Sequence, residues 1–132
     1  MLKASGITEA EWKIIKLLWE KSPRTMPELT ATLYPETEWT RYTVITLLKR
    51  MMAKGTVRME EARPVRLYYP AIEKSDVAAQ QTNTLLSRLF EGKASLMVNS
   101  LVEQGALSDG DVDELMGILE QAKGGTRDDS FV

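Results

Sequence analysis

The chain has 132 residues, which is enough for one domain and a smaller appendage but not for two full-sized domains. Its composition, 43% hydrophobic and 27% charged, is that of an ordinary soluble protein that can bury a core. Cysteine and histidine are absent, which excludes disulfides and thiol catalysis and removes the best ligands for zinc and copper. We therefore expect neither a metal nor a cofactor.

Hydropathy argues against a membrane protein. No apolar run approaches the ~20 residues that span a bilayer, and residues 1–6 lack the charged-then-apolar order of a signal peptide. We expect a cytoplasmic protein without membrane insertion.

The net charge of −2 hides an uneven distribution. Residues 1–74 contain 13 Lys and Arg against 9 Asp and Glu, a net charge of +4. Residues 75–132 contain 4 against 10, a net charge of −6. This asymmetry favours a basic module that meets phosphate and an acidic module with another task. The alternative is chance segregation of solvated charge.

The first helix is predicted over about residues 8–21. Thr8 and Glu11 have the spacing of a capping box, and Ser22-Pro23 ends the segment. The apolar stripe at helical spacing consists of Trp12, Ile14, Ile15, Leu18 and Trp19. Aromatic stripes of this kind are usually core, so we interpret both tryptophans as packing residues.

A short second helix follows. Thr25 is its predicted N-cap, and Pro27 lies in its first turn, where a missing N–H costs little. Leu29 and Leu33 are predicted to face inward. Tyr34-Pro35 is predicted to close the segment.

The third helix is predicted over residues 40–54, with Gly55 as a left-handed cap. Its buried face is predicted to consist of Val44, Leu47, Leu48 and Met51. The opposite, polar and basic surface holds Tyr42, Thr46, Lys49 and Ala53, flanked by Thr43, Ile45 and Arg50.

The periodicity then changes from helical to alternating. Residues 56–60 and 65–69 predict two short strands joined by a turn-prone connector over residues 61–64, and Pro70 stops the second strand. Beyond Pro70 we predict three more helices, over about residues 75–90, over residues 94–104, and after an N-cap at Ser108. Gly92 separates the first two of them.

Three helices followed by a hairpin is the element order of a winged helix-turn-helix domain. In that fold the third helix enters the major groove and the hairpin, or wing, lies on the phosphates. Basic side chains neutralise phosphate, and hydroxyls reach base edges. The predicted DNA-binding residues are Thr40, Arg41, Tyr42, Thr43, Ile45, Thr46, Lys49, Arg50, Arg63 and Arg66. Arg58 adds charge to the wing. The alternative is that Tyr42 and Lys49 are merely solvated surface.

The acidic second half cannot bury its apolar stripes alone, because three short helices make a poor independent core. Pairing with a second copy solves this problem and predicts a two-fold homodimer that reads a palindrome. The predicted dimerisation residues are Leu85, Leu89, Met97, Leu101, Val102, Leu115, Met116 and Leu119. The alternative is that these helices fold back on their own winged domain.

The predicted architecture is therefore mainly α with a small β-hairpin. A winged-helix DNA-binding domain covers residues 1–72, a helical dimerisation domain covers residues 73–123, and a flexible tail covers residues 124–132. We expect no enzyme, because no constellation of catalytic groups is present. The alternative function is an adaptor that uses the winged fold for protein interaction without DNA.

Several segments together resemble the penicillinase-repressor family over roughly residues 6–122. The opening ITEAEW at residues 7–12 with residues 17–19, and TVITLLKR at residues 43–50 after residues 38–40, carry most of the resemblance. Shorter matches lie at residues 54–55, 68–69, 101–103, 107–108 and 113–115.

The resemblance implies a homodimeric repressor with a C-terminal dimerisation region and an operator of inverted symmetry. It also implies a β-lactam-resistance or cell-stress operon. In the best-known branch of the family, a membrane sensor for β-lactams triggers proteolysis in the dimerisation region, which lowers DNA binding. A sensor-linked protease is therefore a candidate partner.

The sequence departs from the family in three places. A copper-sensing branch carries a C-terminal cysteine cluster, and this chain has no cysteine. The family's scissile Asn-Phe bond falls at Ser100-Leu101, the candidate cleavage site, so neither residue is retained, although Asn99 lies one position earlier. Ile45 stands where relatives often carry Arg, Lys or Gln, which suggests apolar contact with a thymine methyl.

Overall fold

The computed structural model describes residues 6–126, which form six α-helices and a two-stranded sheet. The elements are α1 (Glu9–Glu20), α2 (Met26–Thr37), α3 (Arg41–Lys54), β1 (Val57–Ala62), β2 (Val65–Pro70), α4 (Lys74–Leu89), α5 (Ala94–Glu103) and α6 (Asp109–Gln121). A π-helical turn follows at Ala122–Thr126. The predicted mainly α fold with one hairpin is confirmed. Of the predicted flexible tail, residues 127–132 lie outside the described residues.

The chain divides into two compact units between Thr84 and Leu85. The first unit holds α1, α2, α3, the hairpin and the start of α4. The second unit holds the rest of α4 with α5 and α6. Because α4 contributes to both units, the domain boundary at residues 72/73 stays a prediction.

The first three helices enclose the core of the first unit. Eleven buried side chains form one cluster, to which each helix and both strands contribute. The predicted inward face of α3 is confirmed, since Val44, Leu47, Leu48 and Met51 are all buried. Gly55 ends α3 in the left-handed conformation, at φ 84°, as its position predicts.

The predicted end of α2 at Tyr34-Pro35 is wrong, because the helix continues to Thr37 with Pro35 inside its last turn. The proline removes one backbone hydrogen bond, but two others keep the turn closed. The Glu38 N–H donates to the Tyr34 carbonyl at 2.8 Å. The Thr37 hydroxyl donates to the Leu33 carbonyl at 2.8 Å.

The hairpin is longer than predicted. Residues 61 and 62 belong to β1 rather than to a connector, and Ala62 pairs with Val65, so the turn contains only residues 63 and 64. Glu61 pairs with Arg66 across the strands, and their charged groups lie 3.5 Å apart. Opposite charges on facing positions favour the two extra paired residues.

Arg24 joins the hairpin to the helices, which sequence patterns did not predict. Its backbone exchanges two hydrogen bonds with Tyr68, at 3.1 and 2.8 Å, and so extends the sheet by one bridge. Its guanidinium Nε donates to the carbonyls of Leu17 and Lys21, at 3.1 and 2.9 Å. The Leu17 carbonyl also accepts the Lys21 backbone N–H at 3.0 Å, so Arg24 adds a second donor there and ties the hairpin to the end of α1.

Candidate nucleic-acid interface

Helix α3 presents a polar face opposite its buried one. Six of the predicted DNA-binding residues on it are exposed, and they are Arg41, Tyr42, Thr43, Thr46, Lys49 and Arg50. Tyr42 is 68% exposed, and the Arg41 guanidinium carbon lies 5.3 Å from the centre of its ring. The structure thus brings these residues together on one accessible surface.

All charged side chains of α3 are positive. Helix α3 contains no Asp or Glu. Across residues 6–126, the ion pairs of the structure leave Arg41, Lys49 and Arg50 without a carboxylate partner. Three exposed cations along α3, with no anion on that helix, form a surface suited to a polyanion.

The start of α3 lacks the capping box that is found at the starts of α1, α2 and α6. The side chains of Thr8, Thr25 and Ser108 each accept a hydrogen bond from the backbone of their helix, and the acidic side chain at the third position accepts the backbone N–H of that cap residue in return. Thr40 is the N-cap of α3 but makes no such bond, and Thr43 stands at the third position. The first N–H groups of α3 and their partial positive charge therefore stay available to an anion.

Thr46 has its hydroxyl proton engaged within the helix. Its Oγ1 donates to the carbonyl of Tyr42 at 2.8 Å. The outward features left to this side chain are its methyl group and the oxygen lone pairs. Thr46 can therefore contact a thymine methyl or accept from a base amino group, but it is poorly placed to donate.

Ile45 is the least accessible of the predicted set. It is half-buried and packs against the core cluster. It also lines a cavity of about 380 Å³ together with Met26, Val65 and Tyr68. Its predicted contact with a thymine methyl stays a prediction, and only part of its side chain is free to make it.

The wing carries less free positive charge than its arginines suggest. Arg58 lies 3.0 Å from a carboxylate oxygen of Glu60 and stacks over the Tyr69 ring at 4.0 Å. Arg66 faces Glu61. Among the described residues, Arg63 at the turn is in none of the ion pairs and is exposed. It is therefore the wing residue best placed for a phosphate.

The comparisons with known proteins agree on one family. The family model for the penicillinase repressor matches residues 7–121, which is most of the chain. The chain belongs to the penicillinase-repressor family. It is therefore a DNA-binding transcriptional repressor and not an enzyme.

Two relatives of this penicillinase-repressor family member span nearly its whole length. The penicillinase repressor of Bacillus licheniformis is 30% identical over 123 residues, covering 93% of this chain and 96% of its own. The methicillin resistance regulatory protein MecI of Staphylococcus aureus is 24% identical over 119 residues, covering 90% and 97%.

The solved structures agree with the winged-helix assignment. The DNA-binding domain of the repressor BlaI has a TM-score of 0.51 and 30% identity, and the match covers 58% of this chain and 93% of that domain. The transcriptional regulator Tm0710 of Thermotoga maritima has a TM-score of 0.54 at 18% identity over 99% of this chain, which is a likeness of fold.

The predicted dimerisation residues of this penicillinase-repressor family member lie on α4, α5 and α6. Met97, Leu101 and Leu115 are half-buried, and the other five are 41–65% exposed. No residue of the described part of the second unit, 85–124, is classed as buried. Ser100 and Leu101, the candidate cleavage site, lie inside α5, where the Ser100 hydroxyl accepts from the Gln104 amide at 2.9 Å.

One positioning residue was missed by sequence reasoning. Glu11 was predicted only as half of a capping box, but its side chain is fully buried and contacts the ammonium of Lys54 at the end of α3. One sequence feature pointed to the burial of Glu11. It is a charged residue on the otherwise apolar side of α1, beside Ile14, Ile15 and Leu18.

Proposed function

We propose that this repressor works as a homodimer on operator DNA of inverted symmetry in the cytoplasm, with α3 as the recognition helix. The observation that carries the proposal is the exposed surface of α3, which begins at an uncapped helix start and carries three cations that are in no ion pair within residues 6–126. Arg41, Lys49 and Arg50 would contact phosphates. Tyr42, Thr43 and Thr46 would face base edges.

The homodimer is supported by the exposed apolar side chains of the second unit. Burying them stabilises a protein by about 25 cal/mol per Å² of apolar surface. A second copy offers the same apolar surface, so a two-fold contact removes both sets from water at once. Val102, Met116 and Leu119 are each more than half exposed in the single chain, which supports their assignment to this contact.

The test is selection of bound duplexes from a random DNA pool by the purified full-length chain. We expect a palindrome whose half-sites are one helical turn, or a multiple of it, apart. Binding should fall steeply with salt, because released counterions drive association with phosphates. The double variant Arg41→Ala/Arg50→Ala should abolish enrichment. Lys93→Ala, the matched control, should enrich the same sequences as the parent chain. An adaptor that binds protein alone would enrich no sequence.

The names of the relatives suggest what is regulated. A penicillinase repressor and a methicillin resistance regulatory protein both point to an operon for β-lactam resistance. Derepression through a sensor-linked protease at Ser100-Leu101 stays a separate prediction. Because this bond lies within α5, a protease would need local unfolding of that helix before cutting.

A further inference from the structure

The first unit contains a cavity that DNA binding does not use. It has a volume of about 470 Å³ and lies between α1 and the first turns of α4. Its walls include Trp12 and Trp19 on α1 and Val77 and Ala78 on α4. All of its lining residues precede Thr84, so the cavity belongs to one compact unit. Its volume lies in the range of about 300–1,000 Å³ that is typical of small-molecule sites.

The two tryptophans make a fixed aromatic wall. Their ring centroids lie 6.1 Å apart, with an angle of 61° between the planes, which is an edge-to-face arrangement. The Trp19 indole N–H donates to the carbonyl of Ile72 at 3.0 Å. Both rings also pack against the small buried cluster of Ile7 and Val77. The indoles are therefore held in place by packing and hydrogen bonding before any ligand arrives.

The lining of the cavity also has an excess of positive charge. Lys16 on α1 and Lys74 on α4 both line it, and neither is in an ion pair within residues 6–126. Glu20 is the acidic residue of the lining, and its carboxylate already accepts from Arg24 at 3.3 Å. Two cations next to an apolar aromatic wall match a ligand that has a flat apolar body and one anionic group.

We propose that this cavity binds a small planar aromatic carboxylate, with its ring against Trp12 and Trp19 and its carboxylate at Lys16 and Lys74. The charge favours this ligand over a neutral apolar one, because a carboxylate is attracted to the two ammonium groups and a neutral ligand is not. This inference goes beyond the proposed function, since it requires no DNA, and either one can fail without the other.

The experiment titrates the full-length protein with 2-naphthoate and follows the indole N–H resonances by NMR. Single Trp→Phe variants assign the three signals. We expect saturable shifts at Trp12 and Trp19, which line the cavity, and no shift at Trp39, which does not line it. Lys16→Met and Lys74→Met should each weaken binding roughly threefold, as expected for a partly exposed ion pair. Lys93→Met, the matched control, should bind like the parent chain.

A neutral analogue completes the test. 2-Naphthalenemethanol should bind more weakly than 2-naphthoate, and its affinity should not change in the two lysine variants. The proposal is overturned if neither indole signal responds to millimolar 2-naphthoate, or if the acid and the alcohol bind equally well. It is also overturned if the Trp12 and Trp19 signals follow protein concentration alone, because a second copy of the chain would then cover the cavity.

Discussion

The carboxylate of Glu11 on α1 lies 2.9 and 3.1 Å from the ammonium of Lys54, the last residue of α3. Glu11 is fully buried, whereas the Lys54 side chain is 30% exposed. The same carboxylate accepts the Thr8 N–H at 3.1 Å, and Lys54 also donates to the Gly6 carbonyl. One buried carboxylate thus ties the start of α1 to the end of α3.

Removing the cation of this pair should cost more stability than removing the anion's charge. In Lys54→Met a buried carboxylate loses its partner, and we expect a loss of roughly 2–4 kcal/mol, below the full buried-pair value because Lys54 is partly exposed. Glu11→Gln keeps an acceptor for Thr8 and should cost less, about 1–2 kcal/mol. Urea unfolding at one fixed protein concentration measures both.

Lys13→Met is the control for this comparison, because Lys13 makes an ion pair with Glu36 at the surface. Such pairs contribute about 0–1 kcal/mol. If Lys54→Met were no more costly than Lys13→Met, the Glu11 pair would not be what holds the end of α3.

Lys49→Ala should weaken binding to every DNA sequence to a similar degree. Lys49 is exposed on α3, and we assign it to phosphate rather than to a base. Losing one phosphate contact should reduce the slope of log K against log salt by about 1. Fluorescence anisotropy at several salt concentrations measures this slope. An unchanged slope would show that Lys49 meets no phosphate.

Thr46→Ala should alter the preferred base at one position of each half-site. The hydroxyl proton of Thr46 is donated to Tyr42, so we expect its methyl group to make the contact. Thr46→Val keeps that methyl group and should keep the preference. The test compares the base preferences of both variants in DNA selected from a random pool. A profile that stays the same in Thr46→Ala would refute base recognition by this residue.

Met116→Glu should convert the dimer to a monomer and weaken operator binding. Met116 is 58% exposed on α6 and belongs to the proposed contact, where an unpaired charge would be costly to bury. Gln121→Glu adds the same charge at the end of that helix and should leave the dimer intact. Sedimentation velocity distinguishes the two states, and a Met116→Glu dimer would contradict the assignment.

Glu28 should make stability depend on acid pH. The Thr25 backbone N–H, and then the Thr25 hydroxyl, lower the pKa of the Glu28 carboxyl by hydrogen bonding. A lowered pKa in the folded state stabilises the protein above the unfolded-state pKa, and this contribution is lost as pH falls through the folded-state value. We expect the free energy of unfolding of Glu28→Gln to fall less with decreasing pH than that of the parent chain. Glu9→Gln, an exposed first-turn position on α1, is the comparison, and equal curves would contradict the prediction.

Local signals predicted most of the helices and the exposed polar face of α3. Capping residues such as Thr8 and Ser108 act within one turn of the chain, and the spacing of Val44, Leu47 and Leu48 orients α3 by itself. These features depend on residues three or four positions apart, so the sequence determines them without knowledge of the fold. For the same reason the exposed basic face of α3 could be predicted residue by residue.

Tertiary structure alone decided the contacts between distant segments. Glu11 meets Lys54 across 43 positions, and Trp19 meets the Ile72 carbonyl across 53 positions. Whether Arg24 joins the sheet, and whether a cavity remains beside Trp12, depends on how the helices pack together. Hydropathy and capping patterns carry no information about that packing, because it is a property of surfaces that meet only after the chain has folded.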